Sequence, residues 1–230
     1  MDITIEVLDN IPVALDAADI MRQLHNNPAM KECVDEMVAL ANQVARPKAV
    51  YALAYVDEHG DDSVVINGVR FTSRVLRMNL DKVHRVFPYV ATCGREIDAA
   101  PIPADDMLKT FCMETIKRTL VAHARQYMDS QLKSTYAISQ TSRMSPGSLA
   151  DWPITQQKEL FSLFGNVEDL IGVELTPSFL MVPVKSVSGI CFPTEVRFES
   201  CMLCPREVCE GRRAPFDPAK LKAYKEKATT

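Results

Sequence analysis

Apolar and polar positions along the 230-residue chain form patterns that predict several strands. Residues 3–8 alternate apolar and polar side chains, as a half-exposed strand does. Residues 49–56 and 85–93 are almost continuously apolar, which is typical of strands buried on both faces. Residues 64–71 are predicted to pair with 49–56 as a hairpin, and Asn67-Gly68 inside this run is either a tight turn or a bulge.

Helical periodicity follows in other parts of the chain. Apolar residues recur at spacings of three and four, and proline, glycine and capping residues mark the ends of these segments. The pattern predicts helices over residues 14–25, 28–44, 105–132 and 151–164, and a terminal helix that starts at Asp217-Pro218. A short strand is predicted for residues 136–139, and a lysine-rich tail follows the last helix.

Composition narrows the class of protein. Hydrophobic residues make up 47% and charged residues 24%, which is ordinary for a globular protein and excludes a mainly disordered chain. The net charge of −4 shows no excess of basic residues of the kind that binds nucleic acid. The first residues lack the pattern of a signal peptide, and no apolar run approaches the ~18 residues of a membrane span. We therefore expect a cytoplasmic, single-domain protein without nucleic-acid or membrane partners.

A cysteine cluster lies near the C-terminal end. Cys201, Cys204 and Cys209 stand at C-x2-C-x4-C spacing, and Cys191 lies a short strand upstream. In a reducing compartment, seven cysteines with three close together favour metal binding over disulfides. The loop of residues 191–213 therefore carries a predicted metal site. Cys191 is the nearest candidate for the fourth ligand, and Cys93 is an alternative if the fold brings its strand end alongside. An iron–sulfur cluster, a structural zinc and unligated thiols all stay open.

Two other segments have the chemistry of a ligand site. Proline and glycine fix a turn in Arg143-Met-Ser-Pro-Gly147, and a guanidinium at its edge can grip a carboxylate with two hydrogen bonds. Most loop arginines are instead solvated or form surface ion pairs. Ser186, Ser188 and Gly189 interrupt an apolar stretch, where small residues let a ligand approach the backbone.

These motifs together resemble a known family. Arg143-Met-Ser-Pro-Gly147, the helix after it, and then IGVELT (171–176), SFLMVP (178–183) and SVSG (186–189) are similar to the S-adenosylmethionine-binding activation domain of cobalamin (vitamin B12)-dependent methionine synthase. The similarity is strongest over residues 135–193. It implies a single α+β domain, residues 1–217, with a twisted, mostly antiparallel sheet and flanking helices, followed by a terminal helix and tail, residues 218–230.

The resemblance also implies a site and a function. Arg143 would hold the carboxylate of S-adenosylmethionine, Pro146 and Gly147 would shape the pocket, and residues 186–189, with Ser186, Ser188 and Gly189, would lie beside the nucleoside and the corrin. The protein would act in methionine biosynthesis as the activation component of a methyltransferase, by S-adenosylmethionine-dependent remethylation of cobalamin. The electron donor would be a flavodoxin or ferredoxin.

The corrinoid is expected on a separate partner, a methyltransferase such as a short methionine synthase. Asp57-Glu58-His59 begins like a corrin-binding Asp-x-His-x-x-Gly signature, but Asp62 occupies the glycine position. The family motif usually continues to a tyrosine where this chain has Ser148. This departure keeps two alternatives open: an iron–sulfur electron relay for another corrinoid protein without S-adenosylmethionine, and a zinc-stapled, non-enzymatic adaptor.

Overall fold

The computed structural model describes residues 3–103, 105–209 and 212–226. Nine strands occur in this part of the chain: β1 (Thr4–Leu8), β2 (Lys48–His59), β3 (Ser63–Ile66), β4 (Val69–Thr72), β5 (Arg85–Thr92), β6 (Thr141–Met144), β7 (Glu174–Leu175), β8 (Met181–Val182) and β9 (Ser186–Pro193). Its helices are α1 (Ala17–Gln23), α2 (Lys31–Val44), α3 (Arg74–Asn79), α4 (Arg95–Asp98), α5 (Met107–Tyr136), α6 (Gln157–Ser162), α7 (Val167–Ile171) and α8 (Pro218–Glu226). Short 3-10 helices cover Pro28–Met30, Ile154–Gln156 and Ser200–Leu203.

One antiparallel sheet forms the centre of the fold. Its strand order is β4-β3-β2-β5-β9-β6, and β1 pairs with the first half of β2. The strands β7 and β8 make a separate two-stranded hairpin. The α+β fold with an antiparallel sheet and flanking helices is therefore confirmed, and the site strands β6 and β9 lie together at one end of the sheet.

Both faces of the central strands are buried, which explains their continuous apolar sequences. Alternate residues of β2, β5 and β9 point to opposite faces. Val50, Val90 and Ile190 pack with the aromatic residues around Trp152 on one face. Tyr89 and its neighbours pack against α5 on the other face. The long helix α5 is thus fixed across the sheet by its own apolar stripe.

Local turn chemistry decided several boundaries. The run of residues 64–71 is two strands, β3 and β4, because Asn67 (φ 44°) and Gly68 (φ 77°) make the tight turn between them. The predicted strand at residues 136–139 is wrong. The helix α5 continues to Tyr136 and ends at Ala137 in the left-handed conformation, and β6 starts only at Thr141. Packing of Tyr136 against Phe87, with ring centroids 4.8 Å apart, stabilises this last turn of the helix.

The predicted helices over residues 28–44 and 151–164 are each interrupted, since both begin as a 3-10 turn before α2 and α6. The terminal helix α8 starts at Pro218 as predicted, and Tyr224 contacts Phe198 in a tilted arrangement with ring centroids 5.9 Å apart. The domain boundary at residue 217 stays a prediction, and residues 227–230 of the predicted tail lie outside the described residues. None of the helices in the described ranges is both long enough and apolar enough to cross a membrane.

Candidate functional site

The predicted carboxylate-binding arginine lies on β6, the strand next to β9. Arg143 pairs in register with Cys191, and its guanidinium extends to α5. There its Nη2 donates to Oδ2 of Asp129 at 2.6 Å. The two side chains are only 14% and 19% exposed, so this is a largely buried ion pair. Arg143 is therefore held by a helix partner that the sequence motif does not contain.

Several polar atoms around this ion pair have no hydrogen-bond partner among the described residues. They are buried and comprise Nε of Arg143, Oδ1 of Asp129 and Nε of Arg125. Buried polar atoms are nearly always paired in proteins, because an unmade hydrogen bond costs about 1–3 kcal/mol. Two donors and one acceptor around the ion pair thus lack partners.

The electrostatic environment keeps Arg143 charged. Burial alone lowers the pKa of Arg143, but the effects of Tyr89, Asp129 and Cys191 outweigh burial and raise the pKa overall. Tyr89 is buried below the ion pair, and burial raises the pKa of this phenol as well. The site therefore presents a permanent cation and a neutral phenol near neutral pH.

Arg125 lies one helical turn before Asp129, and its pKa is shifted in the opposite direction to that of Arg143. Burial, followed by repulsion from Arg143, lowers the pKa of Arg125. Repulsion from Arg213 acts in the same direction, while the effects of Tyr89 and Asp129 raise the pKa and only partly offset this lowering. Arg125 and Asp129 were not predicted, because polar residues on a long amphipathic helix usually face solvent. Their spacing of four residues from each other was the only available sign.

Two neighbouring cavities open along α5. The Arg143 cavity, of about 470 Å³, is lined by Arg125, Asp129 and Arg143 among others. The Ser186 cavity, of about 520 Å³, is lined by Arg125, Ser186 and both arginines of the 212–213 pair. Ala122 and Arg125 belong to both linings, so α5 forms a shared wall.

The Pro146-Gly147 turn follows β6 directly. Gly147 has a φ of 78°, and its amide donates to the Trp152 carbonyl at 2.7 Å. A Cβ at Gly147 would lie 2.8 Å from Cδ1 of Ile154. The turn is therefore fixed by the segment before α6, and it does not line either cavity. The predicted role of Pro146 and Gly147 in shaping the pocket stays a prediction.

The small residues of β9 have structural reasons for their size. Oγ of Ser186 lies 2.7 Å from the Pro183 carbonyl and 2.9 Å from the Thr92 hydroxyl, and Ser186 lines the Ser186 cavity. Ser188 is buried opposite Val90.

Gly189 allows β9 to approach the chain after β6. A Cβ there would lie 2.7 Å from Oγ of Ser145 and even closer to the Met144 carbonyl oxygen. Of the three predicted small residues Ser186, Ser188 and Gly189, only Ser186 lines one of the two cavities.

The cysteine loop is joined to the site by a buried carboxylate. Glu199 forms an isolated bridge to Arg143 through the backbone, and its side chain pairs with Arg197 at 2.8 Å and Arg213 at 3.2 Å. The amide of Arg213 donates to Sγ of Cys201 at 3.5 Å. The loop that carries Cys201 therefore borders the Ser186 cavity.

The predicted metal ligands are not assembled into a site. Cys201, Cys204 and Cys209 are partly exposed, while Cys191 is buried in the sheet, where burial raises its thiol pKa to about 11. Within the described ranges, no three histidine, cysteine or acidic side chains form a group that could hold a metal ion. Binding of iron–sulfur or zinc by these cysteines stays a prediction that this arrangement does not support.

Comparison with known proteins supports the resemblance seen in the motifs. Residues 104–201 match the family described as vitamin B12 dependent methionine synthase, activation domain. Among solved structures, the chain is similar to the MetH reactivation domain bound to AdoHcy, with 18% sequence identity and a TM-score of 0.59. The similarity covers 86% of this chain and 81% of that chain, and at this identity it shows the fold. No curated protein matches the chain.

The matched segment contains Arg125, Asp129 and Arg143 as well as the small residues of β9, and it ends at Cys201. The cysteines that follow lie outside it. The predicted resemblance to an S-adenosylmethionine-binding activation domain is thus confirmed, and the matched segment contains the whole lining of the Arg143 cavity and all of the Ser186 cavity lining except Arg212 and Arg213.

Proposed function

We propose that this chain, with the fold of a methionine synthase reactivation domain, binds S-adenosylmethionine and serves the reductive reactivation of a corrinoid methyltransferase. A short methionine synthase is the first candidate for that partner, and a flavodoxin or ferredoxin is the candidate electron donor. The observation that carries this proposal is the Arg143–Asp129 pair: both residues line the Arg143 cavity, and each has a buried polar atom without a partner.

The free atoms fit the amino-acid end of the ligand. A carboxylate can accept from Nε of Arg143, and an ammonium group can donate to Oδ1 of Asp129. Such contacts would satisfy two buried atoms that otherwise lack partners. The pair would thus orient a zwitterionic amino acid by both of its charged groups.

The rest of the fold supports this binding mode. Gly189 permits the close approach that places β6, and therefore Arg143, against β9. When bound, S-adenosylmethionine supplies an electrophilic methyl group for the reduced cobalt of the partner. The chain's own contribution is to bind and orient the ligand, and no residue is assigned to proton transfer.

Calorimetric titration with S-adenosylmethionine under anaerobic conditions tests the proposal. We expect saturable binding by the wild type and a Kd at least tenfold higher for Arg143→Ala, because a hydrogen bond to a charged group contributes about 1.5–3 kcal/mol. Arg74→Ala, which removes an exposed arginine from α3, is the control and should bind like the wild type. Circular dichroism of each variant verifies folding.

Absence of binding by a folded wild type would contradict the proposal. It would favour the iron–sulfur electron relay instead, since Ser148 replaces the family's tyrosine and the Cys201 loop borders the Ser186 cavity. That alternative requires iron in the protein, which is tested separately below.

A further inference from the structure

We propose that the Ser186 cavity binds a phosphate group, and that Arg125 and Arg212 are its principal ligand-binding residues. The site is distinct from the Arg143–Asp129 pair that serves the proposed function. It is a second anion-binding site in the same groove, and it does not depend on S-adenosylmethionine binding.

The first observation is the sign of the charge around this cavity. Five basic side chains line it, and none of the lining residues in the described ranges is acidic: they are Arg118, Arg125, Lys185, Arg212 and Arg213. The chain as a whole carries a net charge of −4. A basic concavity on an acidic protein concentrates anions, because the surrounding low-dielectric walls focus the field.

Some of these charges are offset by neighbours outside the cavity. Lys185 pairs with Glu114 at 2.9 Å. Arg213 shares the single carboxylate of Glu199 with Arg197. Arg118 also has an interaction partner of its own. We therefore assign the binding to Arg125 and Arg212, two lining arginines for which the structure gives no carboxylate partner.

Of these two arginines, Arg125 gives the stronger evidence for an anion-binding site. Its Nε is buried without a hydrogen bond, and no carboxylate of the described residues lies within ion-pair distance of it. It is repelled by Arg143 on one side and by Arg213 on the other. An anion placed in the cavity would satisfy the free donor and relieve both repulsions.

Arg212 is held in place by the loop itself. Its guanidinium donates to the carbonyls of Cys201 and Ala214, each at 3.4 Å, and to that of Arg206. Carbonyl oxygens fix the orientation of a guanidinium but do not neutralise its charge. Arg212 is thus a preorganised cation at the mouth of the cavity.

A phosphate group fits this arrangement better than a second carboxylate does. Its oxygens point in tetrahedral directions and can accept from two guanidinium groups at once. Val121, Val184 and Val187 provide an apolar wall that can contact the organic part of a phosphate ester. The phosphodiester of a corrinoid nucleotide tail and a free phosphate both have this chemistry.

Titration with inorganic phosphate in a low-salt buffer free of other multivalent anions tests the site. We expect saturable binding that Arg125→Gln and Arg212→Gln each weaken about tenfold. Arg206→Gln is the matched control, since it removes an exposed arginine side chain from the same loop but keeps the carbonyl that Arg212 contacts. Its affinity should stay within twofold of the wild type.

Absence of saturable phosphate binding, or equal binding by Arg125→Gln and the wild type, would overturn the proposal. Arg125→Gln is decisive because its substitution leaves the contacts of the cysteine loop unchanged. Arg212 lines only the Ser186 cavity, so Arg212→Gln should weaken phosphate binding but keep S-adenosylmethionine binding, and failure of this site and failure of the proposed function give different results.

Competition identifies the source of the phosphate. Cyanocobalamin carries the phosphodiester of the nucleotide tail, whereas dicyanocobinamide lacks that tail. Displacement of phosphate by cyanocobalamin alone would support the site as a holder of the corrinoid tail. Phosphate binding that neither corrinoid displaces would support it as a site for a free phosphate ligand.

Discussion

Arg143 and Asp129 depend on each other because both are largely withdrawn from water. Removing one partner of a buried ion pair leaves a charge without compensation, and this commonly costs about 3–5 kcal/mol. The two sides of this pair are not equivalent, however. Arg125 stands near both residues, so it can compensate a lone Asp129 but repels a lone Arg143.

This asymmetry predicts different stabilities for the two single variants. Asp129→Ala should lower the free energy of unfolding by about 3 kcal/mol, because it leaves two neighbouring arginines without a carboxylate. Arg143→Ala should cost less, since Arg125 can then pair with Asp129. Urea unfolding of both variants and of the double variant measures the difference and the coupling energy.

The reverse order of stabilities would contradict this account of Arg125. Equal losses would do the same, since they would mean that Arg125 does not interact with either partner. The comparison has an internal control, because the double variant removes both charges and should be no less stable than Asp129→Ala alone.

At the scale of elements, α5 organises the site. Its 30 residues extend over roughly 45 Å, so one rigid helix places Arg125 and Asp129 against strands from distant parts of the chain. The helix ends at Ala137, whose left-handed conformation (φ 52°, ψ 44°) is unfavourable for a residue with a Cβ.

Ala137→Gly should therefore stabilise the protein by about 1 kcal/mol, because glycine adopts this conformation without the steric cost. Ala39→Gly is the matched control, since it places the same substitution at an exposed position inside α2 and should destabilise by about 1 kcal/mol. Denaturant midpoints measured side by side report both effects. Destabilisation by Ala137→Gly would show that the helix end does not have this geometry in solution.

At the scale of the whole molecule, the cysteine loop and the two cavities belong to one surface. Glu199 and Arg213 connect the loop to β6 and to the Ser186 cavity. A metal centre in the loop would thus lie beside the groove in which ligands are proposed to bind.

An iron–sulfur cluster is one of the three possibilities that the cysteine spacing leaves open, and it predicts iron and inorganic sulfide in anaerobically purified protein. Cys201→Ser combined with Cys204→Ser should abolish the iron, whereas Cys33→Ala, in the buried face of α2, should leave it unchanged. Elemental analysis measures the iron and zinc content of each purified protein. Zinc without iron would indicate a structural zinc site, and absence of both metals would mean that the thiols are unligated.

The sequence by itself determined the features that depend on local pattern. Continuous apolar runs predicted the strands that are buried on both faces. The backbone preferences of Asn67-Gly68 predicted a turn, and those of Asp217-Pro218 predicted the start of a helix. The motif around Arg143 identified the resemblance, because proline and glycine at fixed spacing leave a recognisable signature. These features need no knowledge of distant contacts.

Only the tertiary structure decided what surrounds Arg143. Asp129 and Arg125 are ordinary polar residues of an amphipathic helix until packing against the sheet turns them toward β6. The predicted end of α5 at residue 132 was wrong for the same reason, since packing of Tyr136 against Phe87 extends the helix beyond its local signals. Charge pairing and cavity formation are set by contacts between segments far apart in the chain, and such contacts leave no periodic trace in the sequence.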